Sequence, residues 1–309
     1  MERPSLRQLE CAVAVAEHLS FRRAAEAVAI TQPALSLAIQ QLETLLGTRL
    51  FERDRRRVLP TPAGEQLVPR ARTALAEIDG LVEAARVLHD PLAGTLKMGV
   101  IPTIAPYVLP SVVPVLRRRF PALRLQLQEQ RTAQLAELTR RGRLDLCLLA
   151  LEADLAGLTT RPLYFDPFVL AAPEGHALAQ KKQVREQDLA DEEVLLLEDG
   201  HCLREQALSI CSRSGAREAG DFRATSLNTL VRMIAGGTGV TLLPAMAVPV
   251  EVHGPDRLAI VPLERRPGRT IGLAWRPSSP RTLAFETLAE VLVEKAPAGT
   301  VRLAPGKRR

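Results

Sequence analysis

Two cysteines in the stretch LEDGHCLREQALSIC, Cys202 and Cys211, are the residues of this chain whose type and setting best suit chemistry. Eight residues separate them, unlike the short spacing of a metal clip. The turn-forming Glu198, Asp199 and Gly200 precede Cys202, so a helix can start at Asp199 or Gly200. Cys202 then falls near a helix N-terminus, where unpaired amides favour negative charge on sulfur. His201 and Arg204 act in the same direction, while Glu198, Asp199 and Glu205 oppose it. Cys211, in LSICSRSG, has fewer charged neighbours and reads as the more buried and less reactive thiol. The alternative for both is a structural role as small buried residues. Cys11 lies among apolar residues of a first helix and Cys147 inside an apolar strand, so these two read as core. The five histidines are scattered without ligand spacing, and no metal or cofactor is expected.

The elements around these thiols follow from periodicity. LRQLECAVAVAEHLS carries apolar residues at 6, 9, 13 and 16, a helical face. Ser20 can cap a second helix, FRRAAEAVA. ITQPALSLAIQQLETLLG reads as a third, with Thr31 as its cap, Pro33 in the first turn and Gly47 after the end. Leu35, Ile39, Leu42, Leu45 and Leu46 form the predicted buried face. Two short helices joined by a tight turn make a helix-turn-helix, and LFERDRRRVLPT suits a basic hairpin wing beside it. Thr61-Pro62 opens a long helix whose small or apolar residues at 67, 71, 74, 78, 81, 85 and 88 step by 4 and 3. That heptad seam predicts a dimer, with Pro69 kinking the helix. From Leu92 strands and helices alternate, which predicts an α/β domain with largely parallel sheets. The last residues, KAPAGTVRLAPGKRR, read as a disordered tail.

Composition narrows the class. The 309 residues suffice for two or three domains, and 46% apolar with 25% charged is ordinary for a globular protein. Aromatics are only 3%, which argues against base stacking on single strands. CAVAVA is too short for a secretory signal and is flanked by Glu10 and Glu17. No stretch approaches the roughly 18 apolar residues of a membrane span, so a cytoplasmic protein without membrane contact is expected, with its thiols ordinarily reduced. The net charge of +6 is not itself a nucleic-acid signal, since residues 1–90 hold 12 arginines and 12 acids. The local signal is stronger: five arginines against two acids between Arg49 and Arg57. AGGTGV lacks the Lys-Ser/Thr of a phosphate loop and reads as a helix-to-strand turn.

SFRRAAEAVAITQPALSLAIQQLETLLGTRLFERDRRRVLPTPAG resembles the winged helix-turn-helix and linker helix of LysR-type transcription regulators. The remainder resembles that family's two-lobed, periplasmic-binding-protein-like effector domain. LEDGHCLREQALSIC, DFRATSLNTLVRMIAGGTGVTLLPA and RTIGLAWRPSSP bring the likeness closest to the family's hydrogen-peroxide-sensing branch. The resemblance implies a DNA-binding domain over 1–61, a dimerising linker helix over 62–89, a redox-sensing regulatory domain over 90–300 and a tail over 301–309. Within the regulatory domain it implies one lobe of about 90–165 plus 269–300 and another of about 166–268. It also implies a homotetramer, a dimer of dimers, acting on double-stranded DNA as an activator. A thiol reductant would recycle it, and contact with RNA polymerase is a further expectation.

The same resemblance assigns roles. Cys202 becomes a sulfenic acid with peroxide and then joins Cys211 in a disulfide. If 202–211 is one helix, the two residues lie about 13.5 Å apart along it and point to opposite sides. A disulfide needs Cα atoms within roughly 7 Å, so bonding requires local refolding, the content of a switch. Thr103, Thr132 and His201 line the implied peroxide pocket, and Arg204 and Arg269 support the thiolate. Each threonine also precedes a helix that its hydroxyl could cap. On the DNA side Thr31, Gln32, Pro33, Ser36 and Gln40 face a groove. Arg53, Arg55, Arg56 and Thr61 meet phosphate or the minor groove from the wing. Solvated surface is the plain alternative for these, as for Arg22 and Arg23. Two other functions stay open: a LysR regulator sensing a small metabolite in the interlobe cleft, and a thiol peroxidase. No catalytic triad is present to support an enzyme, and a recognition helix has no purpose in one.

Overall fold

A computed structural model of the chain describes residues 3–53, 58–87, 92–252 and 258–303; within these, the side chains of 53, 82–87 and 220–222 are not described. The described residues form two compact units that divide near residue 88.

The first unit begins with α1 (Leu6–His18), α2 (Phe21–Ala27) and α3 (Gln32–Leu46). Local chemistry sets their ends. Ser5 and Gln8 make a reciprocal capping box on α1, Ser20 accepts from the Arg23 amide at α2, and Thr31 accepts from the Ala34 amide at α3. Gly47 closes α3 in the left-handed conformation, φ 66°. Leu35, Ile39 and Leu42 of α3 pack with Cys11, Val15, Ala24, Leu50 and Phe51 in the core of this unit. The predicted face stops there. Leu45 is half-buried and Leu46 exposed, in the last turn before Gly47 ends the helix. A two-stranded antiparallel wing, β1 (Phe51–Arg53) and β2 (Val58–Pro60), leads into α4 (Pro62–Val87). Gly64 lets α4 start directly against the Leu50 carbonyl, where a Cβ would collide. Pro69 sits inside α4. The heptad seam divides: Leu67 and Ala71, with Val68 and Leu75, pack onto the core of their own unit, while Ile78 and Leu81 are exposed. Ala85 is without a described side chain, and Leu88 lies outside the described residues.

The second unit is an α/β assembly. Its first sheet joins β3 (Gly94–Val100), β4 (Leu123–Glu129) and β5 (Leu146–Ala150), with α5 (Ala105–Arg119) and α6 (Thr132–Arg140) as crossovers. β3 pairs in parallel with both neighbours, as crossover helices require. The 15-residue β6 (Thr159–Pro173) runs out of this sheet into a second lobe. That lobe adds β7 (Glu193–Leu197), α7 (Cys202–Ser214), β8 (Arg217–Ala224), α8 (Leu227–Ala235), β9 (Thr241–Pro244), α9 (Val248–Glu251) and β10 (Leu258–Pro262). β11 (Gly268–Trp275) then returns between β5 and β6, antiparallel to both, and α10 (Thr282–Glu294) packs against β6 and α5. The eight-stranded sheet is therefore mixed rather than largely parallel, while the separate pair β7 and β8 is parallel. The chain crosses between lobes twice, on β6 and on β11, and the second crossing must run back. The tail expectation fails at its start: β12 (Val301–Arg302) pairs with Phe165 and Tyr164 of β6 after the Gly299 turn. Residues 304–309 lie outside the described residues.

Candidate functional site

Cys202 is the first residue of α7 and half-buried; Cys211 is on the same helix, 2% exposed. All four cysteines are free thiols. The helix is continuous from one to the other, so the axial separation is about 13.5 Å with the side chains on opposite faces. The N-cap, His201, makes no side-chain cap, leaving the first-turn amides beside Cys202 without that competitor. Burial pushes the Cys211 thiol up to about 11. Cys11 and Cys147 are 0% exposed and belong to the two cores.

Two of the three carboxylates that the sequence sets against a thiolate, Glu198 and Asp199, are paired. Glu198 is bonded to Arg131. Asp199 accepts from Arg204 Nε and from Arg223 Nη1, each at 2.9 Å. Arg204 also grips Glu218 with both terminal nitrogens, at 2.7 and 2.9 Å, and donates to the Leu197 carbonyl. Its guanidinium is thus committed to clamping α7 onto β7 and β8 and neutralising nearby acids.

His201 and Thr103 line one cavity of about 390 Å³, together with Tyr107, Arg131, Asn228 and Glu251. His201 is 7% exposed, and burial, reinforced by the Arg131 charge, pushes its imidazole below the ordinary histidine range. It is therefore neutral near pH 7 and able to donate or accept. Across the cavity the Tyr107 hydroxyl donates to Glu251 Oε1 at 2.7 Å, and Asn228 Nδ2 donates to Oε2 at 3.0 Å. Those bonds tie α5 of the first lobe to α8 and α9 of the second.

Thr103 is 3% exposed and caps nothing: the α5 N-cap is Ile104, without a side-chain bond. Instead its Oγ1 accepts from Arg269 Nη1 at 2.8 Å and its carbonyl from Nη2 at 2.9 Å. Arg269 Nε donates to Asp166 Oδ2 at 3.0 Å, and neither charged side chain has any exposed surface. Burial pushes the Asp166 carboxyl up, opposed by Arg269 and the amides of Met246 and Ala245. Thr132 begins α6, directly after the cavity residues Gln130 and Arg131. It is 7% exposed, and its Oγ1 has no hydrogen-bond partner among the described residues. So neither threonine spends its hydroxyl on capping.

In the first unit, Gln32, Pro33 and Gln40 are exposed on α3, Ser36 is half-buried, and Thr31 serves as the cap. Thr61 uses its hydroxyl twice internally, donating to the Arg49 carbonyl at 2.6 Å and accepting from the Gly64 amide at 3.0 Å. Arg22 pairs with Glu26, and Arg23 donates to the His18 carbonyl. Arg53 belongs to β1 without a described side chain; Arg55 and Arg56 lie outside the described residues. Leu37, 55% exposed on α3, lies off the predicted buried face and is absent from the predicted DNA-facing set. Asp166 and Glu251 escaped it too. The only signal for Asp166 was a lone acid in the apolar run LYFDPFVLAA.

A helix-turn-helix unit followed by a two-lobed unit with an interlobe cavity defines a class of ligand-responsive DNA-binding regulator. The family model for the bacterial regulatory helix-turn-helix protein, lysR family, matches residues 6–65, and that for the LysR substrate binding domain matches 89–297. The chain belongs to the LysR family of transcription regulators. Among its relatives, a probable hydrogen peroxide-inducible genes activator of Streptomyces viridosporus is 47% identical over 94% of each chain. The solved full-length OxyR of Pseudomonas aeruginosa, a cysteine-to-aspartate variant, is 34% identical with a TM-score of 0.80. The match covers 99% of this chain and 100% of that one. A hydrogen-peroxide-bound cysteine-to-serine variant of OxyR from Corynebacterium glutamicum is 36% identical with a TM-score of 0.66, covering 95% and 93%.

Proposed function

We propose that this chain is a peroxide-responsive transcription activator that reads double-stranded DNA through α3 and the wing. Cys202, as thiolate, attacks one peroxide oxygen. The S–O bond forms, the O–O bond breaks, and the leaving hydroxide takes a proton to become water. The Cys211 thiol then displaces a second water from the sulfenic acid to give the disulfide. Thr103, Thr132 and His201 serve as the donors that stabilise the leaving oxygen. The observation that carries the reading is the pair of thiols on opposite faces of one unbroken helix, the first at an uncapped N-terminus beside the cavity. Joining them must unwind α7, and with it the Arg204 clamp to β8. In a cytoplasmic homotetramer that refolding would re-space four DNA-binding heads and alter contact with RNA polymerase, and a thiol reductant would reverse it. Arg204 and Arg269 then support the site indirectly, the one by neutralising acids and the other through Thr103.

The test is a stoichiometric peroxide titration of the reduced full chain. Peptide mapping of the thiols and a DNA footprint are made on the same samples. A 202–211 bond should appear in step with a change in footprint length or position, and Cys202→Ser should abolish both while retaining DNA binding. An undiminished response in that variant would remove the mechanism. The size and polarity of the cavity favour a second reading, a small polar metabolite bound between the lobes. A footprint that ignores peroxide but shifts with such a ligand would support it.

A further inference from the structure

Asp166 is an anomaly that the peroxide reading leaves unused. A carboxylate with no exposed surface, within the largely apolar stretch of β6 from residue 163 to 172, is costly unless it holds something in place. Its two oxygens face opposite ways. Oδ1 accepts from the Met246 amide at 3.1 Å, which anchors it to the corner after β9 in the second lobe. Oδ2 accepts from Arg269 Nε at 3.0 Å. Asp166 and Arg269 are directly opposed on the antiparallel strands β6 and β11. The neighbouring Gly268 is what lets the strands close up here, since a Cβ there would strike the Asp166 carbonyl and the Pro167 backbone. With Nε fixed, the guanidinium plane is fixed, and its two terminal nitrogens meet the hydroxyl and carbonyl of Thr103.

The consequence falls on one proton. A hydroxyl has a single donor hydrogen, and a lone pair of Thr103 Oγ1 is already taken by Arg269 Nη1. The hydroxyl must therefore donate away from Arg269, on the side where Thr103 lines the cavity. We propose that Asp166 is a positioning residue for peroxide reduction, setting through Arg269 the direction in which the Thr103 hydroxyl donates to the leaving oxygen. The proposal rests on the peroxide reading of the site. The group donating to the nascent hydroxide is Thr103, and Asp166 touches neither peroxide nor sulfur.

The experiment uses the reduced full chain and compares two rate constants at Cys202: oxidation by hydrogen peroxide, trapped with a 1,3-dicarbonyl reagent, and alkylation by iodoacetamide. Alkylation needs the thiolate but no aligned donor, so it controls for a generally disturbed thiol. Asp166→Asn is expected to slow peroxide oxidation at least tenfold while alkylation changes less than twofold. Thr103→Val should do the same. The double variant should be no slower than Thr103→Val alone, because both act on one hydroxyl. Additive losses, or equal losses in both reactions, would overturn the proposal in favour of a purely structural Asp166. Should Asp166→Asn not fold, Asp166→Glu keeps the buried negative charge and Arg269 intact while shifting the carboxylate by one methylene, and the same comparison is made there. A wild-type chain whose Cys202 reacts with peroxide no faster than a free small-molecule thiol would sink the peroxide reading itself. A fast wild type with an equally fast Asp166→Asn would sink only the role of Asp166.

Discussion

Cys202 and Cys211 share a helix but not an environment, and that asymmetry gives a pH signature. Burial holds Cys211 up to about 11, from an ordinary value near 9. At pH 8 only about one Cys211 in a thousand is then thiolate. Because the folded state binds this proton more tightly, its contribution favours folding below pH 9 and is lost between about pH 9 and 11. In reduced folded protein, iodoacetamide at pH 8 should therefore mark Cys202 and leave Cys211, until the pH approaches 11 or the chain is unfolded. Equal labelling of both at pH 8 would contradict this and would take away the distinction between attacking and resolving thiol. At this scale the sequence was informative where the determinant is local. Ser20, Thr31 and Gly47 cap as their neighbours dictate, and Cys202 falls at a helix start because Asp199-Gly200 forms a turn. It was uninformative where partners come from distant strands. Thr103 looked like a cap and meets Arg269, 166 residues away, while Asp166 meets Arg269 across 103.

If the 202–211 disulfide forms as proposed, the element that must change is α7, and what resists the change is the fork from Arg204 to Glu218. Arg204 is 6% exposed, so removing its partner strands a mostly buried cation, partly relieved by Asp199. Glu218→Gln should lower the stability of the reduced protein by about 1–2 kcal/mol. If the oxidised form has already surrendered this clamp, only the reduced state is penalised. The midpoint potential of the thiol pair should then move about 20–40 mV more negative. A redox titration against a glutathione buffer reads the shift, and an unchanged or more positive potential would mean that the clamp survives oxidation. Arg204 holds the Glu218 carboxyl below its usual range, so this stabilisation is present at neutral pH and disappears only under acid conditions. Strand order was partly legible. Alternating apolar runs announced an α/β domain, but the antiparallel return of β11 and the pairing of β12 depend on which edges lie open, which no local pattern encodes.

For the whole molecule the open question is what covers the outer half of α4. The seam from 67 to 88 looked uniform in sequence. Its first positions are consumed by the unit's own core, through Leu67 and Ala71, because α1 packs against the start of α4. Beyond them Leu81 is 72% exposed, the most exposed large apolar side chain among the described residues, with Ile78 one turn before it. An apolar helix edge left uncovered in one chain is the expected face of a two-helix contact with a second copy. Burying Leu81 in each partner is worth about 2 kcal/mol apiece. A charge there should convert dimers to monomers in sedimentation at micromolar concentration. DNA affinity should fall by more than tenfold, since linked heads bind as one and separated heads do not. The helix-turn-helix core lies away from Leu81, so Leu81→Asp should retain a folded head. Peroxide should still form the 202–211 bond in it while the footprint no longer responds. A Leu81→Asp protein that remains dimeric and keeps its footprint shift would place the dimer contact elsewhere, and the coupling between α7 and the heads would then have to run through the regulatory unit alone.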